Sequence, residues 1–195
     1  MMGSSRKIAR PASTAVFVLV FAASLLCTQL GAEPRGNAAM TLRLTSSGFT
    51  DGQEIPARQT CQGGDASPPL QWSDPPRGTK SFAIVIDDPD APDPSAPKTT
   101  WVHWVVYDIP SGVSSLEQGA AAHMPAGSRP GLNDWHAAGY RGPCPPVGRH
   151  RYFHKIYALD TVLPDLGQPT KAALEHAMHG HVLGQALLLG TYAKS

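Results

Sequence analysis

The sequence lacks the short motifs that identify most catalytic and repetitive proteins. It has no G-x-S-x-G nucleophile elbow, no H-E-x-x-H helix and no C-x-x-C pair, which are the common signals of serine hydrolases, zinc proteases and metal or redox sites. It also has no internal repeat, no heptad pattern and no long block of like charge. A solenoid, a coiled coil and a charged tail are therefore unsupported.

Neither positive nor negative charge predominates in the sequence. The 195 residues include 16 Lys and Arg and 15 Asp and Glu, for a net charge of +1. Residues 1–32 contain three basic residues and no acidic ones, so without them 13 basic residues face 15 acidic ones and the net charge is −2. Nucleic-acid-binding proteins usually carry a basic face that neutralises phosphates. The composition therefore argues against a nucleic-acid partner.

The N-terminal segment has the pattern of a signal peptide. Three basic residues among the first ten precede an apolar run, Val16–Leu26, and small residues follow up to Ala32. We expect cleavage near Ala32 and export to the periplasm or the medium, with residues 33–40 as a lead-in. The alternative is an uncleaved membrane anchor, because residues 12–30 approach the roughly 20 residues that span a bilayer.

Glycine and proline, by contrast, are plentiful. Each occurs 19 times, while 42% of the residues are hydrophobic, so we expect a real core with many turns between short strands. Residues 41–195 are expected to form a single domain. Only three cysteines occur, and cleavage would remove Cys27 and leave Cys61 and Cys144 as an even pair in an oxidising compartment.

Two apolar segments predict the central strands. Ser81–Asp87 is apolar on both faces and bounded by turn residues, a pattern typical of a fully buried strand. Thr100–Ile109 alternates as a strand, and simple alternation predicts four side chains on one face, namely those of Trp101, His103, Val105 and Tyr107.

The C-terminal third predicts a helix and one more strand. Thr170–His179 carries apolar residues at helical spacing, with Thr170 as the N-cap. Val182–Tyr192 then predicts a last strand, with a bulge expected at Gly184. The predicted class is mainly β, with one or two short helices and long loops.

Three separate segments supply residues suited to a binding site. Three carboxylates lie within Asp87–Asp90, at the end of the predicted buried strand, where a solvated turn is the plainer interpretation. His103 lies within the next strand among large apolar groups. Tyr140–Tyr152 (YRGPCPPVGRHRY) is a Gly- and Pro-rich turn that leads to His150 at the mouth of a strand.

These segments together resemble the phosphatidylethanolamine-binding protein family, in its bacterial Raf-kinase-inhibitor-like branch. The resemblance rests on DDPDAP, WVHW and the Gly-Pro loop in this order, and it extends over nearly all of residues 40–194. It implies an antiparallel β-sandwich with an anion pocket at one end. Matching positions make the ligand-binding residues Asp88, His103, Gly142, Pro143 and His150.

The resemblance has two departures and two further implications. Lys98 stands where animal members have a tyrosine that helps to bind the head group, and their helical C-terminal extension is missing here. The family pattern also implies that Cys61 and Cys144 lie close together near the pocket mouth. Neither a cofactor nor a metal is implied.

The chemistry expected of this pocket is anion binding. A small anion or phosphorylated head group would accept hydrogen bonds from both histidines and from N–H groups of the Gly142 turn, while Asp88 orients one imidazole. Binding would weaken as pH rises through the histidine range. On this interpretation His150→Ala weakens binding and leaves the fold intact. A membrane would be contacted only transiently, or through an uncleaved anchor.

Two other functions remain open from the sequence. The same Asp and His residues could serve a hydrolase or a metal-dependent enzyme, and zinc ligands could also come from a C-terminal group of Glu175, His176, His179 and His181. No nucleophile is evident, so binding is favoured over catalysis. The third function is a secreted inhibitor that docks on a kinase or hydrolase through its loops, with an unknown protein partner.

Overall fold

The computed structural model describes residues 41–195, so the predicted signal segment and the lead-in lie outside the described residues. In chain order the strands and the helix are β1 (Arg43–Thr45), β2 (Leu70–Ser73), β3 (Ser81–Ala91), β4 (Thr99–Pro110), β5 (Ser115–Leu116), β6 (Arg129–Pro130), β7 (Arg149–Leu159), α1 (Lys171–Met178) and β8 (Val182–Ala193). Two short 3-10 helices occur at Ala57–Gln59 and Ala120–Ala122. Within residues 41–195 no helix is long and apolar enough to cross a bilayer.

The strands form two antiparallel sheets. The larger sheet has five strands in the order β6-β4-β3-β7-β8, and the smaller has three in the order β1-β2-β5. Apolar side chains of both sheets share one core cluster, which includes Trp72 of β2, Phe82 of β3 and Ile156 of β7. The predicted mainly β class with a sandwich core is confirmed, as expected for sheets that each bury one face against the other.

Strand β3 lies at the centre because both of its faces are covered. One face contributes Phe82, Ile84 and Ile86 to the core between the sheets. The other contributes Ala83 and Val85 to a second cluster with α1. The nearly continuous apolar run of this segment therefore does indicate a buried strand. It extends beyond the predicted end and includes all three carboxylates.

Helix α1 covers this second cluster. Its N-cap is Thr170, whose hydroxyl oxygen accepts a hydrogen bond from the Ala173 N–H at 3.3 Å, as the sequence predicted. Leu174 and Met178 lie one turn apart and are both buried in the cluster. The predicted last strand is also present as β8, although the extra residue of its bulge is Leu183, next to the predicted Gly184.

A β-bulge in β4 overturns the predicted alternation of its side chains. The register with β3 shifts by one residue between the pairs Ile86–Trp104 and Asp87–Val102, which leaves His103 without a partner in β3. The prediction that His103 shares a face with Val105 was wrong: Val105 lies in the α1 cluster, whereas the His103 ring contacts Tyr152 at a centroid distance of 5.2 Å. Bulges redirect side chains in this way.

Cys61 and Cys144 form a disulfide, as the family resemblance implied. Their Cα atoms are 5.5 Å apart and 83 residues separate them in sequence. A Cα distance of this size is usual for a disulfide. The bond connects the segment after the first 3-10 helix to the Gly-Pro loop that precedes β7, so two loops distant in sequence are tied together.

Removing this disulfide should destabilise the domain without changing its ligand-free fold. Because the bond closes a loop of more than eighty residues, the chain-entropy model gives about 4 to 5 kcal/mol, and measured losses for native disulfides begin at about 2 kcal/mol. We expect a loss in this range for the Cys61→Ser/Cys144→Ser variant in urea unfolding. Dithiol-reduced wild type is the matched control and should have the same stability. A loss below about 1 kcal/mol would contradict the expectation.

Candidate ligand-binding site

A cavity of about 170 Å³ opens at the end of the larger sheet where β3, β4 and β7 come together. It brings together three of the five residues predicted to bind a ligand, namely Asp88, His103 and His150. The remaining lining residues are mostly apolar or aromatic: Ala91, Pro92, Trp101, Trp135, Cys144, Pro145, Pro146 and Tyr152. Few polar groups within apolar walls are typical of a small-molecule site.

The Asp88 carboxylate and the His150 imidazole form a buried pair. His150 Nδ1 lies 2.7 Å from Asp88 Oδ2, and His150 Nε2 lies 3.0 Å from the Val147 carbonyl oxygen. The Val147 carbonyl can only accept, so Nε2 carries an N–H directed at it, and Nδ1 is engaged by Asp88. His150 therefore has no free N–H for a ligand. This corrects the expectation that it donates directly to an anion.

His103 presents a different group to the cavity. Its Nδ1 lies 2.6 Å from the carbonyl oxygen of Arg141, so this nitrogen carries the N–H and the lone pair of the neutral ring is on Nε2. Burial lowers the pKa of His103, although the Arg141 carbonyl and the Asp88 carboxylate act in the opposite direction. At pH 7 the ring is therefore neutral, and Nε2 is an acceptor rather than a donor.

Tyr152 is a site residue that the sequence interpretation missed. It is 1% exposed, it lines the cavity, and its hydroxyl makes no hydrogen bond of acceptable geometry with residues 41–195. Burial, together with the nearby Asp88 carboxylate, raises the pKa of this hydroxyl. The Tyr152 O–H is thus a buried donor beside the Asp88 carboxylate on the wall of the cavity. Its place on the same face of β7 as His150 was the signal that could have identified it.

The Gly-Pro loop shapes the wall of the cavity and does not direct the Gly142 N–H towards it. That N–H donates to Asp65 Oδ1 at 3.0 Å, and the Pro143 carbonyl accepts from the Cys61 N–H at 3.1 Å. A Cβ at Gly142 would overlap the Gln59 carbonyl oxygen, which explains why glycine is needed here. Neither Gly142 nor Pro143 lines the cavity, which corrects the expected donor role of this turn.

Two tryptophans, also missed from the sequence, form the outer wall. Trp101 and Trp135 are half-buried, and their rings meet edge to face at a centroid distance of 5.3 Å. The Arg141 guanidinium lies 5.4 Å from the centre of the Trp135 ring and makes no ion pair with residues 41–195. The outer wall of the cavity is therefore aromatic, and the Arg141 cation lies over one of its rings.

Of the three clustered carboxylates only Asp88 lines the cavity. Asp87 lies on the α1 side of the sheet, where its Oδ2 contacts Lys155 Nζ at 2.7 Å and Lys171 Nζ at 2.5 Å. Asp90 accepts from the backbone N–H and the guanidinium of Arg151, and these hydrogen bonds hold the pKa of Asp90 below its usual value. The alternative interpretation of a solvated turn is wrong, because all three are buried.

The described part of the chain contains no group of three or more His, Cys, Asp or Glu side chains that could hold a metal ion. His181, which belongs to the C-terminal group considered for zinc, instead pairs with Asp160 at 2.8 Å. His154, further along β7, is a core residue whose pKa burial lowers to about 4.

Comparison with known proteins identifies the family. The sequence pattern of the phosphatidylethanolamine-binding proteins matches residues 45–193. The chain belongs to the phosphatidylethanolamine-binding protein family. A UPF0098 protein of Methanothermobacter thermautotrophicus is 46% identical over 155 residues, which cover 78% of this chain and 99% of that protein.

Solved structures of other members support the same assignment. A phosphatidylethanolamine-binding protein homologue from Chlamydia trachomatis superimposes with a TM-score of 0.73 at 42% identity. The match covers 80% of this chain and 99% of that one. Escherichia coli YbcL gives a TM-score of 0.72 at 31% identity, over 79% of this chain and 99% of that one. The resemblance to the prokaryotic branch of the family is thereby confirmed.

The buried Asp88–His150 pair changes what His150→Ala should do. Removing the imidazole leaves a buried carboxylate without its partner, so we expect a loss of about 3 to 5 kcal/mol in the free energy of unfolding. Urea unfolding measures it. His123→Ala is the control, since His123 is an exposed loop residue and its loss should change stability by less than about 0.5 kcal/mol. A His150→Ala variant as stable as this control would contradict the role given to the pair.

Proposed function

We propose that the protein binds a small anion, specifically a phosphorylated head group, in the cavity between β3, β4 and β7. The observation that carries the proposal is the meeting of Asp88, His103 and Tyr152, from three different strands, around one cavity with apolar walls. Buried polar groups normally have partners. The Tyr152 hydroxyl makes no hydrogen bond of acceptable geometry within residues 41–195, so a ligand would supply its partner.

Charge around the cavity supports an anionic ligand. Asp88 is the one carboxylate among the lining residues, and both of its oxygens already accept hydrogen bonds, from His150 Nδ1 and from the Asp90 N–H. Arg141 lies over the cavity-lining ring of Trp135 and makes no ion pair within residues 41–195, so it adds a positive charge near the cavity. The family is named for phosphatidylethanolamine binding, and this name suggests the class of head group. His150 contributes by holding Asp88, while Tyr152 and His103 contact the ligand.

Tyr152→Phe tests the proposal with little risk to the fold. The substitution removes one hydroxyl that has no hydrogen bond in the described chain and keeps the ring. A hydrogen bond to a charged acceptor contributes about 1.5 to 3 kcal/mol, so affinity for phosphoethanolamine should fall roughly ten- to hundredfold. Titration calorimetry measures the affinity.

The matched control is Tyr157→Phe, on the same strand but outside the cavity. It removes the same group and should leave affinity unchanged. If Tyr152→Phe binds phosphoethanolamine as well as Tyr157→Phe does, the proposed contact is wrong. If wild type binds neither phosphoethanolamine nor inorganic phosphate, the proposed function fails as a whole.

Export is the second part of the proposal. It rests on the basic start, the apolar run Val16–Leu26 and the small residues before Ala32. The Cys61–Cys144 disulfide supports it, since such bonds persist mainly in oxidising compartments.

N-terminal sequencing of the protein isolated from the producing cells tests export. We expect a mature chain that begins near residue 33 and is recovered from the periplasm or the medium. A mature chain that still carries Val16–Leu26 would contradict cleavage, and its recovery with membranes would establish the anchored alternative.

A further inference from the structure

We propose that the first half of strand β8 is a docking edge for an extended acidic segment of another protein, which adds to the larger sheet as a further strand. β8 is an outer strand of that sheet, since the order is β6-β4-β3-β7-β8. The docking edge consists of Gln185–Leu187 together with the side chains of Val182 and Leu183. It shares no residue with the cavity between β3, β4 and β7, so the proposal does not depend on anion binding.

The second half of β8 is already covered by the chain itself. Residues 51–55 run alongside it. The backbone N–H and C=O of Thr191 pair with that segment, and so does the Leu189 carbonyl, at N···O distances of 2.8 to 2.9 Å. The Leu189 N–H donates to Asp51 Oδ1 at 2.8 Å, which is the last of these contacts along the edge. The backbone groups of Leu189 and Thr191 therefore point out of the sheet.

The first half has outward-facing backbone groups without a partner. In an antiparallel strand, the N–H and C=O of every second residue point to the same side, and the register of β8 with β7 is unbroken over residues 184–193. Because Leu189 and Thr191 face outwards, Gln185 and Leu187 do so too. Neither makes an outward backbone hydrogen bond within residues 41–195. The docking edge thus offers two donors and two acceptors in the row that a further strand needs.

Exposed apolar side chains are concentrated on the same short segment. In the described part of the chain five large hydrophobic side chains are exposed, and three of them belong to this edge: Val182, Leu183 and Leu187, at 40% to 52% exposure. An unpaired apolar edge strand is a template for pairing with another chain. The bulge at Leu183 interrupts the row, so the edge suits a short extended segment rather than a long added strand.

A groove of about 290 Å³ lies beside the docking edge. Its lining comes from β7 and β8: Lys155, Tyr157, Gln185, Ala186 and Leu187. Lys155 is the one charged residue in this lining. Its ammonium has three N–H groups, and Asp87 is its single ion-pair partner within residues 41–195. The groove therefore presents a cation with N–H groups to spare.

A surplus of positive charge at Lys155 favours an acidic partner. Asp87 Oδ2 lies 2.7 Å from Lys155 Nζ and 2.5 Å from Lys171 Nζ, so one buried carboxylate faces two ammonium ions. Glu175 meets Lys171 at 3.8 Å and makes no ion pair with Lys155 in the described chain. β8 contains no acidic residue, so a second copy paired through β8 would leave the charge of Lys155 in place. A carboxylate on an added segment would neutralise it.

The first experiment tests strand addition with a synthetic peptide and the disulfide-bonded protein. The probe is a capped six-residue peptide of alternating valine and aspartate, whose carboxylates lie on one face when it is extended. Two further versions are N-methylated on the backbone, at every valine or at every aspartate. Since alternate N–H groups of an added strand point towards β8 and away from it, one version should bind about tenfold more weakly and the other within about threefold of the probe.

Fluorescence anisotropy of dye-labelled peptides measures these affinities. Equal affinity of the two methylated versions would mean that the peptide backbone does not pair with β8, and the proposal would be wrong. A Kd weaker than about 1 mM for the unmethylated probe would overturn it as well.

Lys155→Gln tests the choice of an acidic partner. Asp87 keeps Lys171 as its ion-pair partner in this variant, so the fold should be retained. Affinity for the probe should fall about five- to tenfold at low salt. Lys98→Gln is the matched control, because it removes the same charge from the exposed loop between β3 and β4 and should leave affinity unchanged. If both variants bind the probe equally well, the role given to Lys155 is wrong.

Amide hydrogen exchange distinguishes the occupants of the edge. Saturating probe should slow exchange of the Gln185 and Leu187 N–H groups, whereas the Leu189 N–H, already bonded to Asp51, should change little. If Gln185 and Leu187 are protected without the peptide and size-exclusion chromatography shows a concentration-dependent dimer, a second copy covers the edge and the proposal is overturned. Unchanged exchange of these two amides with bound probe would place the peptide elsewhere and overturn it too.

Discussion

The hydrogen bond between His150 Nδ1 and Asp88 Oδ2 is the interaction on which the site depends. The backbone ladder between β3 and β7 ends at the pair Asp87–Phe153. Beyond it, side chains connect the two strands: Asp88 to His150 at 2.7 Å, and Asp90 to the Arg151 N–H at 2.9 Å. Because side chains span a wider gap than a backbone hydrogen bond does, the strands can separate here and leave room for the cavity.

A buried polar pair of this kind is a costly way to join two strands. The desolvation of the carboxylate and the imidazole can cancel their attraction, and a well-packed apolar pair is often as stable. The hydrogen bond between Asp88 and His150 fixes the position of the Asp88 carboxylate on the wall of the cavity, next to the Tyr152 hydroxyl. The pair is therefore better explained by the cavity than by stability. The stability of the domain comes from the disulfide and from the two core clusters on either side of the larger sheet.

The second constraint is the β-bulge in β4. The bulge at His103 turns the ring towards Tyr152 and the cavity, and the Arg141 carbonyl then fixes which ring nitrogen holds the proton. The loop that provides this carbonyl is held in place by the bond from Gly142 to Asp65 and by the disulfide. The Gly-Pro loop thus shapes the cavity in two ways, through the tautomer of His103 and through the wall formed by Cys144, Pro145 and Pro146.

The sequence by itself determined the elements that depend on local pattern. The run Ser81–Asp87, the capped helix after Thr170 and the last strand follow from periodicity and capping, and the combination of DDPDAP, WVHW and the Gly-Pro loop indicated the family and the segments that meet. Only the tertiary structure decided the direction of each polar group. A single bulge reverses the face of His103, a carboxylate 77 residues away takes the Gly142 N–H, and two acceptors occupy both nitrogens of His150. Such contacts join residues distant in sequence, so no local pattern records them, and they determine whether each group donates to a ligand, accepts from it or is already satisfied.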